Sequence, residues 1–375
     1  MTTLSGQWIG RYAGSNAGRF VIDIDEFEDN YGGTAIGWDD RPDFPNAVVR
    51  FRTASKATTH KIDDLLVSLV DNVGNTLTPQ IRQDLELRGV SLPDTVSISL
   101  ELTGGTLHVS WTSSIGTSSK GTASAPKTRT GARSTLKSKK LRTWDGFKSA
   151  VTGLPARRYI FRGQENRDWR LRSSFYRMGR SNLERYVNQD IPDLHRTLSG
   201  LLTNTPNLSD DLQYGAFLNL AQHHGYPTPL LDWTWSPYVA AFFAFHKISR
   251  LGGQPGQRIR IFQFDIKAWE GLYRADKLFP MWPNVSILNA LAVGNPRAIP
   301  QQAISTFSNV DDIEAYLQDM EQVNKTTYLE AFDLPATERA VAMRELTLMG
   351  ITAGSLFPGL DGACEALREQ NFLLG

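Results

Sequence analysis

Side chains that could do acid–base chemistry are concentrated between Leu220 and Pro237. His223 and His224 lie at the end of a helical apolar pattern, and Asp232 follows the buried apolar run that begins at Thr228. A histidine and a carboxylate held at element ends could transfer protons. Adjacent residues on a helix point about 100° apart, and no HxxxH or HxH spacing accompanies the pair, so the sequence does not predict a zinc site. We expect one histidine to act as a donor in a functional site and the other to pack against its neighbours or cap the helix.

A second candidate is Arg162, at the end of a predicted strand Arg158–Arg162 and directly before Gly163 and Gln164. A guanidinium fork beside open backbone suits bidentate capture of a phosphate or carboxylate. Two roles stay open. Arg162 binds a ligand, or it pairs structurally with a buried aspartate, for which Asp232 is the candidate.

A third polar segment is Arg297–Phe307, in which Gln301 and Gln302 stand beside a predicted strand, Ala298–Phe307. Their amides can donate and accept hydrogen bonds but supply neither acid nor base. The same pattern is typical of an edge strand with outward polar positions, and both interpretations stay open.

These residues belong to a chain of ordinary globular composition. It has 375 residues, 41% of them hydrophobic, with 40 basic and 39 acidic residues and one cysteine, Cys364. The balanced charge does not predict nucleic-acid binding by the whole protein. One cysteine excludes an intramolecular disulfide and a multi-cysteine zinc site. Because no signal peptide or membrane-spanning run is recognisable, we expect a soluble cytoplasmic protein without membrane partners, of about two domains.

The charge is unevenly spread, with eight basic and no acidic residues between Ser113 and Thr143. This segment is rich in Ser, Thr and Gly and poor in large apolar residues, a composition typical of a flexible linker. A basic tether could also make weak contacts with nucleic-acid phosphates. The predicted domains are therefore residues 1–112, a linker over 113–143, and residues 144–375.

The first domain is predicted to be a small antiparallel β-barrel or sandwich. Gly104-Gly105 separates two alternating runs within Val96–Trp111 and predicts a hairpin. The other predicted strands are Gln7–Tyr12, Phe20–Phe27, Thr34–Trp38 and Asn46–Arg52. The opening Gly6-Gln7-Trp8 with Gly10 resembles the start of the calycin barrels, which implies that Trp8 closes the barrel floor and that the barrel could hold a small ligand.

The second domain alternates strands and helices, so the whole chain is predicted to be α+β. Ser209–Asp211 caps a helix that Gly225 ends, and Ser236-Pro237 starts a core helix over Tyr238–Ile248. We expect Leu231, Phe242 and Phe243 to be buried. The remaining predicted strands are Arg258–Ile266 and Thr326–Phe332, and the remaining predicted helices are Val310–Met320, Ala336–Met349 and Leu360–Phe372.

Together these residues resemble the FRG domain, named for its Phe/Tyr-Arg-Gly motif. The resemblance covers about Thr143 to Phe372 and is most specific in its central segment. The matching segments are Phe161–Gln164 with Trp169, Ala221–His223 with Gly225, Pro227-Thr228, Leu230–Thr234, Ser236-Pro237 and Leu356–Leu360. Pro229 stands where the family usually has arginine, and Ala303–Thr306 replaces its Gly-x-Phe-Thr. The family resemblance implies no settled activity.

A more distant resemblance is to ADP-ribosyltransferases of the Arg-Ser-Glu type. Phe161-Arg162-Gly163 is similar to their first motif, and Asp232–Ala244 to their Ser-rich strand and following helix. This implies a mixed ADP-ribosyltransferase-like domain in which Arg162 holds NAD. Thr234 and Ser236 would line the nicotinamide pocket. Those enzymes also need a glutamate near the ribose, where this chain has Gln301-Gln302; Glu165, Asp232 and Glu330 are the candidate substitutes.

The resemblances predict a protein that binds NAD or a related nucleotide and performs ADP-ribosyl transfer to a macromolecule or NAD hydrolysis, as a bacterial defence or toxin effector. One alternative is a non-catalytic module for a ligand or nucleic acid, and a third is a nuclease in which His223, His224 and Asp232 cleave a phosphodiester without a metal. We assign His223, Asp232 and Gln302 to catalysis and Arg162, Gln164, Thr234 and Ser236 to NAD, with no metal. We expect Arg162, Gln164, His223, Asp232 and Thr234 to meet in one cleft, because all are polar and lie at element ends.

Overall fold

The computed structural model describes residues 3–41, 44–115, 119–128, 132–249, 254, 256–275, 277–288, 291 and 295–373. The chain forms two compact units. The barrel unit contains residues 1–129, 175–205 and 279–283, and the sheet unit contains residues 130–174, 206–278 and 284–375. The fold is α+β with an N-terminal barrel, as predicted.

The barrel unit is built on a closed antiparallel barrel of eight strands in sequential order. The hairpin at Gly104-Gly105 is confirmed, because both glycines have positive φ (61° and 83°), a conformation open to glycine at no steric cost. The strands are β1 (Gly6–Gly14), β2 (Gly18–Glu26), β3 (Tyr31–Asp39), β4 (Asn46–Arg52), β5 (Thr59–Val70), β6 (Thr95–Thr103), β7 (Thr106–Ser113) and β8 (Lys120–Pro126).

The sequence pattern does not predict two of these strands, β5 and β8. In β5, Asp64 has a positive φ of 56° and the pairing register with β6 shifts between Ile62 and Leu65, so a bulge interrupts the apolar alternation. In β8, the side chains are small, and the strand is held by ladders to β7 on one side and β1 on the other. The β8–β1 ladder closes the barrel.

The prediction of a flexible linker over residues 113–143 is wrong for its described residues. Strand β8 belongs to the barrel, and Lys139–Lys140 forms strand β9, parallel to Phe332-Asp333 of the sheet unit. Leu136 is buried in the core of the sheet unit. Composition misleads here because one buried leucine and main-chain pairing order a segment that has few apolar residues. Residues 116–118 and 129–131 of this stretch lie outside the described residues.

Residues 175–205 pack on the barrel through Asp25. The Asp25 carboxylate is fully buried and accepts hydrogen bonds from the main-chain N–H groups of Ser181 (2.7 Å) and Asn182 (3.0 Å). It also accepts from the guanidinium groups of Arg180 (2.6 Å) and Arg185 (3.4 Å). A buried carboxylate is tolerated when paired and hydrogen-bonded in this way.

Both units contain helices. Asp210 caps α6 by accepting from Leu212 and Gln213, and Ser236 caps α7. The helices are α1 (Pro79–Leu87), α2 (Trp144–Thr152), α3 (Ser174–Arg177), α4 (Leu183–Arg185), α5 (Ile191–Leu198), α6 (Asp211–His223), α7 (Pro237–His246), α8 (Ile266–Tyr273), α9 (Ile313–Asn324), α10 (Arg339–Leu348), α11 (Ala353–Leu356) and α12 (Leu360–Arg368).

The sheet unit is built on one mixed sheet of seven strands in the order β13-β14-β11-β10-β12-β15-β9. Its strands after β9 are β10 (Tyr159–Gln164), β11 (Leu230–Thr234), β12 (Arg258–Asp265), β13 (Val285–Leu288), β14 (Ala303–Ser308) and β15 (Leu329–Pro335). The predicted strand over Ala298–Phe307 therefore begins only at Ala303, because residues 296–302 form turns.

Two apolar clusters cover the two faces of this sheet. One contains Phe161 with the apolar residues of α7, and the other contains Ile160, Trp233 and Phe262. Leu231 and Phe242 are buried as predicted. The prediction is wrong for Phe243, which is only partly buried at the margin of this cluster, where its ring centroid lies 6.0 Å from that of Phe357.

Among the described residues, no helix is both long enough and apolar enough to cross a membrane.

Candidate functional site

The sheet unit forks between its two central strands. Strand β10 pairs with β12 along six residues but with β11 only through Phe161 and Thr234. Beyond that pair the two strands diverge, and Arg162 spans the gap, where its guanidinium donates a 2.5 Å hydrogen bond to the main-chain carbonyl of Asp232. Arg162 therefore satisfies a backbone group that the interrupted ladder leaves without a strand partner.

The register separates the predicted site residues into two groups. Phe161 pairs with Thr234, so both face α7, and Asp232 shares that face because side chains alternate along a strand. Arg162 and Gln164 lie on the opposite face, together with Ile160 and Phe262. The expectation that all five residues meet in one cleft is wrong, and the reason is the two-residue period of a strand.

Gly163 allows helix α7 to lie against β10. A Cβ atom built on Gly163 would lie 1.8 Å from the carbonyl oxygen of Ala240 and 2.8 Å from the nitrogen of Ala244. Any other residue would force the helix away from the strand. The glycine of the Phe-Arg-Gly motif thus has a packing role.

The polar residues between α6 and β11 form a hydrogen-bonded chain. The Gln222 amide donates to Oδ1 of Asp232 (2.6 Å) and its carbonyl oxygen accepts from the hydroxyl of buried Thr228. Gly225 has a φ of 86° and turns the chain after the helix. This network fixes the Asp232 carboxylate relative to α6. Gln222 belongs to the Ala221–His223 segment of the motif, but the sequence alone does not predict this role for it.

Thr234 and Ser236 make bonds inside the protein. The buried Thr234 hydroxyl donates to the carbonyl of Gln301 (2.7 Å) and accepts from the main-chain N–H of Ser236 (3.1 Å). The Ser236 hydroxyl accepts from the N–H of Val239 and caps α7. Both residues hold the start of α7 beside β11, and their assignment to a nicotinamide pocket stays a prediction.

His223, Asp232 and Arg297 are electrostatically coupled at the end of α6. Burial lowers the pKa of His223, and the positive charges of Arg297 and His224 lower it further, while the carboxylate of Asp232 opposes them. The side chain of Asp232 is exposed. We call His223, Asp232 and Arg297 the His–Asp face. The sequence placed Arg297 at the start of the third polar segment but did not predict that it lies near His223, because nothing local to its turn relates it to His223.

The turn that carries Arg297 is anchored on α11 and on Phe357. The Gln301 amide donates to the carbonyl of Leu356 (2.9 Å), and the Arg297 guanidinium lies 5.2 Å from the ring centroid of Phe357. Gln302 has a left-handed backbone (φ 47°), and its carbonyl accepts from the N–H of Trp235 (3.1 Å). Its side chain is exposed, and its assignment to catalysis stays a prediction.

The acids named as substitutes for a missing glutamate differ in position. Glu330 lies on β15, two strands beyond β10 on the side away from β11, and pairs with Lys139 at 2.8 Å. It is therefore not part of the His–Asp face. Glu165 directly follows β10, beyond the end of the β10–β11 pairing. Asp232 is the candidate acid that lies beside His223.

A separate group could bind a metal ion. Ligand atoms of His246, Glu365 and Glu369 lie within 4.8 Å of one another, and His246 Nδ1 is 3.0 Å from the Glu369 carboxylate. The imidazole also stacks on Phe242. The same contacts fit an ion pair that joins α7 to the C-terminal helical segment.

The mixed sheet, its central fork and the packed Phe-Arg-Gly strand define an α+β domain. Residues 157–251 match the family model of the FRG domain. The chain therefore contains an FRG domain, which includes Arg162, the Gln222–Thr228 network and Asp232. A search of curated proteins found no match.

Proposed function

We propose that the FRG domain binds NAD or a closely related nucleotide on the His–Asp face and cleaves its nicotinamide–ribose bond. The observation that supports this most directly is the electrostatic coupling of His223, at the end of α6, with Asp232 in the middle of β11 and with Arg297. The Gln222 amide holds one carboxylate oxygen of Asp232 at 2.6 Å, so the carboxylate has a defined orientation.

Each of the three groups suits a different part of such a ligand. A guanidinium at Arg297 suits a diphosphate. A carboxylate at Asp232 suits ribose hydroxyl donors. A histidine with a lowered pKa is neutral near pH 7, so His223 can accept a proton. Arg162 supports this arrangement by fixing the main chain of Asp232 from across the fork.

In the proposed reaction, the bond between C1′ of the ribose and the nicotinamide nitrogen breaks, and its electron pair leaves with neutral nicotinamide. The Asp232 carboxylate stabilises the positive charge that develops on the ribose. A water oxygen attacks C1′, and His223 accepts a proton from that water. The products are nicotinamide, ADP-ribose and one proton. In a transfer reaction, a nucleophile of a macromolecular acceptor takes the place of water.

The test is incubation of the full chain with NAD, with nicotinamide release measured by chromatography and NAD and ADP-ribose binding measured by calorimetry. We expect Asp232→Asn to lower nicotinamide release at least tenfold and Arg297→Ala to weaken binding at least tenfold. Asp361→Asn, which changes an exposed aspartate of the same unit, serves as control. Parent-like binding and release in both site variants would refute the proposal, as would the absence of nucleotide binding by the parent.

A second candidate function is binding without cleavage. It is favoured by the side chains at the positions where the ADP-ribosyltransferases have their glutamate. Those positions hold Gln301 and Gln302, and Gln301 is tied to Leu356. In that case NAD and ADP-ribose bind and Arg297→Ala weakens both, but no nicotinamide appears.

Because transfer needs an acceptor, the release assay is repeated in a bacterial extract with adenine-labelled NAD, and label in protein or nucleic acid reveals transfer. Consumption of NAD would suit a toxin or defence effector.

A further inference from the structure

The barrel contains a cavity of about 450 Å³ that is partly open to solvent. Fully buried side chains fill the rest of the barrel core, among them Trp8, Ile24, Leu100 and Leu107, and none of them lines the cavity. Trp8 also donates from its indole N–H to the carbonyl of Leu4 (2.9 Å). The lumen is therefore closed by packing in one part and left open in another.

Small and branched side chains on several strands leave space for the cavity. Ala35 pairs with Ile22 on β2 and with Val49 on β4, and all three line the cavity. Val67, Val109 and Ala123 line it from other strands. An eight-stranded barrel is wide enough to hold one small ligand. The volume falls within the range of small-molecule pockets, roughly 300–1,000 Å³.

Polar groups are concentrated among a few of the lining residues. Tyr12, Asn16, Asp39 and Arg41 line the cavity, and the Tyr12 ring packs edge-on against Trp111 at 5.4 Å. Burial and the nearby carboxylates of Asp39 and Asp40 raise the pKa of the Tyr12 phenol. This hydroxyl therefore stays protonated and can donate a hydrogen bond.

The charges in this polar group neutralise one another. Arg41 pairs with Asp39 at 2.9 Å, and Arg11 pairs with Asp40. Asn16 donates to Asp39 at 2.5 Å. Among the described residues, the cations and anions here are already paired, so an ionic headgroup would have to break an existing pair. A neutral polar group would not have to break any of these pairs.

We propose that the barrel binds one small, uncharged, largely apolar molecule, with a hydrogen-bonding group at the end that meets Tyr12 and Asn16. The apolar body lies among Ala35, Val49 and Val109 and gains from removal of its surface from water. This site is separate from the His–Asp face, so the two proposals stand or fall independently.

The test uses the full chain and N-phenyl-1-naphthylamine, a neutral probe that fluoresces in apolar surroundings. We expect saturable binding of one probe per chain, with at least tenfold weaker binding of the related anion 1-anilinonaphthalene-8-sulfonate. Ala35→Phe, which fills the lumen, should abolish probe binding while circular dichroism stays unchanged. Ala54→Leu, on an exposed loop of the same unit, should bind like the parent.

Ala123→Phe is the second lumen-filling variant and replaces Ala35→Phe if that variant does not fold. Addition of NAD should not displace the probe. The absence of saturable binding by the parent would overturn the proposal. So would a folded lumen-filling variant that binds with parent affinity. Equal or tighter binding of the anion would overturn the assignment of an uncharged ligand.

Discussion

Gly163 and the carbonyl of Ala240 approach so closely that a Cβ on Gly163 would lie 1.8 Å from the Ala240 oxygen. This approach brings α7 against β10. The N-cap of α7, Ser236, donates its N–H to the buried Thr234, which in turn binds the carbonyl of Gln301. The helix–strand contact thus supports the arrangement of the His–Asp face.

The first prediction follows from that contact. Gly163→Ala should destabilise the protein by about 3 kcal/mol or more, since backbone atoms must move to admit the methyl group. Urea denaturation measures the change. Gly271→Ala, at a helical glycine of the same unit with open space around it, should be neutral or stabilising by about 0.5–1 kcal/mol. Equal stabilities for the two variants would contradict the geometry at Gly163.

The second prediction concerns the buried ion pair of the sheet unit. Arg260 donates to both carboxylate oxygens of Asp333, at 2.7 and 3.0 Å, and both residues are buried. Asp333→Ala should cost about 3–5 kcal/mol, because it leaves a buried guanidinium without its counter-charge. The double variant Arg260→Met/Asp333→Leu should recover most of that loss in the same denaturation experiment. A loss in the double variant as large as in Asp333→Ala would show that the charge is not the cause.

The third prediction concerns the charge state of His223. Its pKa should lie below the unperturbed value of about 6.5, as measured by NMR titration of the imidazole. Arg297→Ala should raise that pKa by removing a positive neighbour, and Asp232→Asn should lower it by removing a negative one. Shifts of the same sign in both variants would refute the His–Asp face.

The lowered pKa also sets the direction of a stability change. Because the folded protein favours the neutral His223 ring, this contribution is fully present above about pH 6.5. It is lost as the pH falls toward and through the folded-state pKa, where the unfolded chain binds more protons. A His223→Gln variant should therefore lose less stability than the parent on acidification over that range.

The fourth prediction concerns the basic segment. Limited trypsin digestion should spare Lys139 and Lys140 at first, because their main chain pairs with β15 and Leu136 is buried beside them. Leu136→Asp should release the segment and bring early cleavage there. Leu87→Asp, at an exposed leucine, should leave the pattern unchanged. Early cleavage at these lysines in the parent would restore the flexible-linker interpretation.

Local sequence was sufficient for elements whose signals are local. Alternation and Gly104-Gly105 predicted β6, β7 and their hairpin, and Asp210 and Ser236-Pro237 predicted the starts of α6 and α7. The Phe-Arg-Gly motif predicted the FRG domain. These patterns depend on preferences of neighbouring residues, which the chain carries before it folds.

Tertiary structure alone decided which candidate residues meet. Strand register placed the Arg162 side chain on the other face of the sheet from the Asp232 side chain, but next to the Asp232 main chain. The fold also brought Arg297 toward His223. Pairing on both sides made β8 a strand despite its small side chains. Such outcomes depend on distances between residues far apart in sequence, and those distances exist only in the folded chain. Residue types and spacing therefore indicated the chemistry, whereas long-range packing determined where it is assembled.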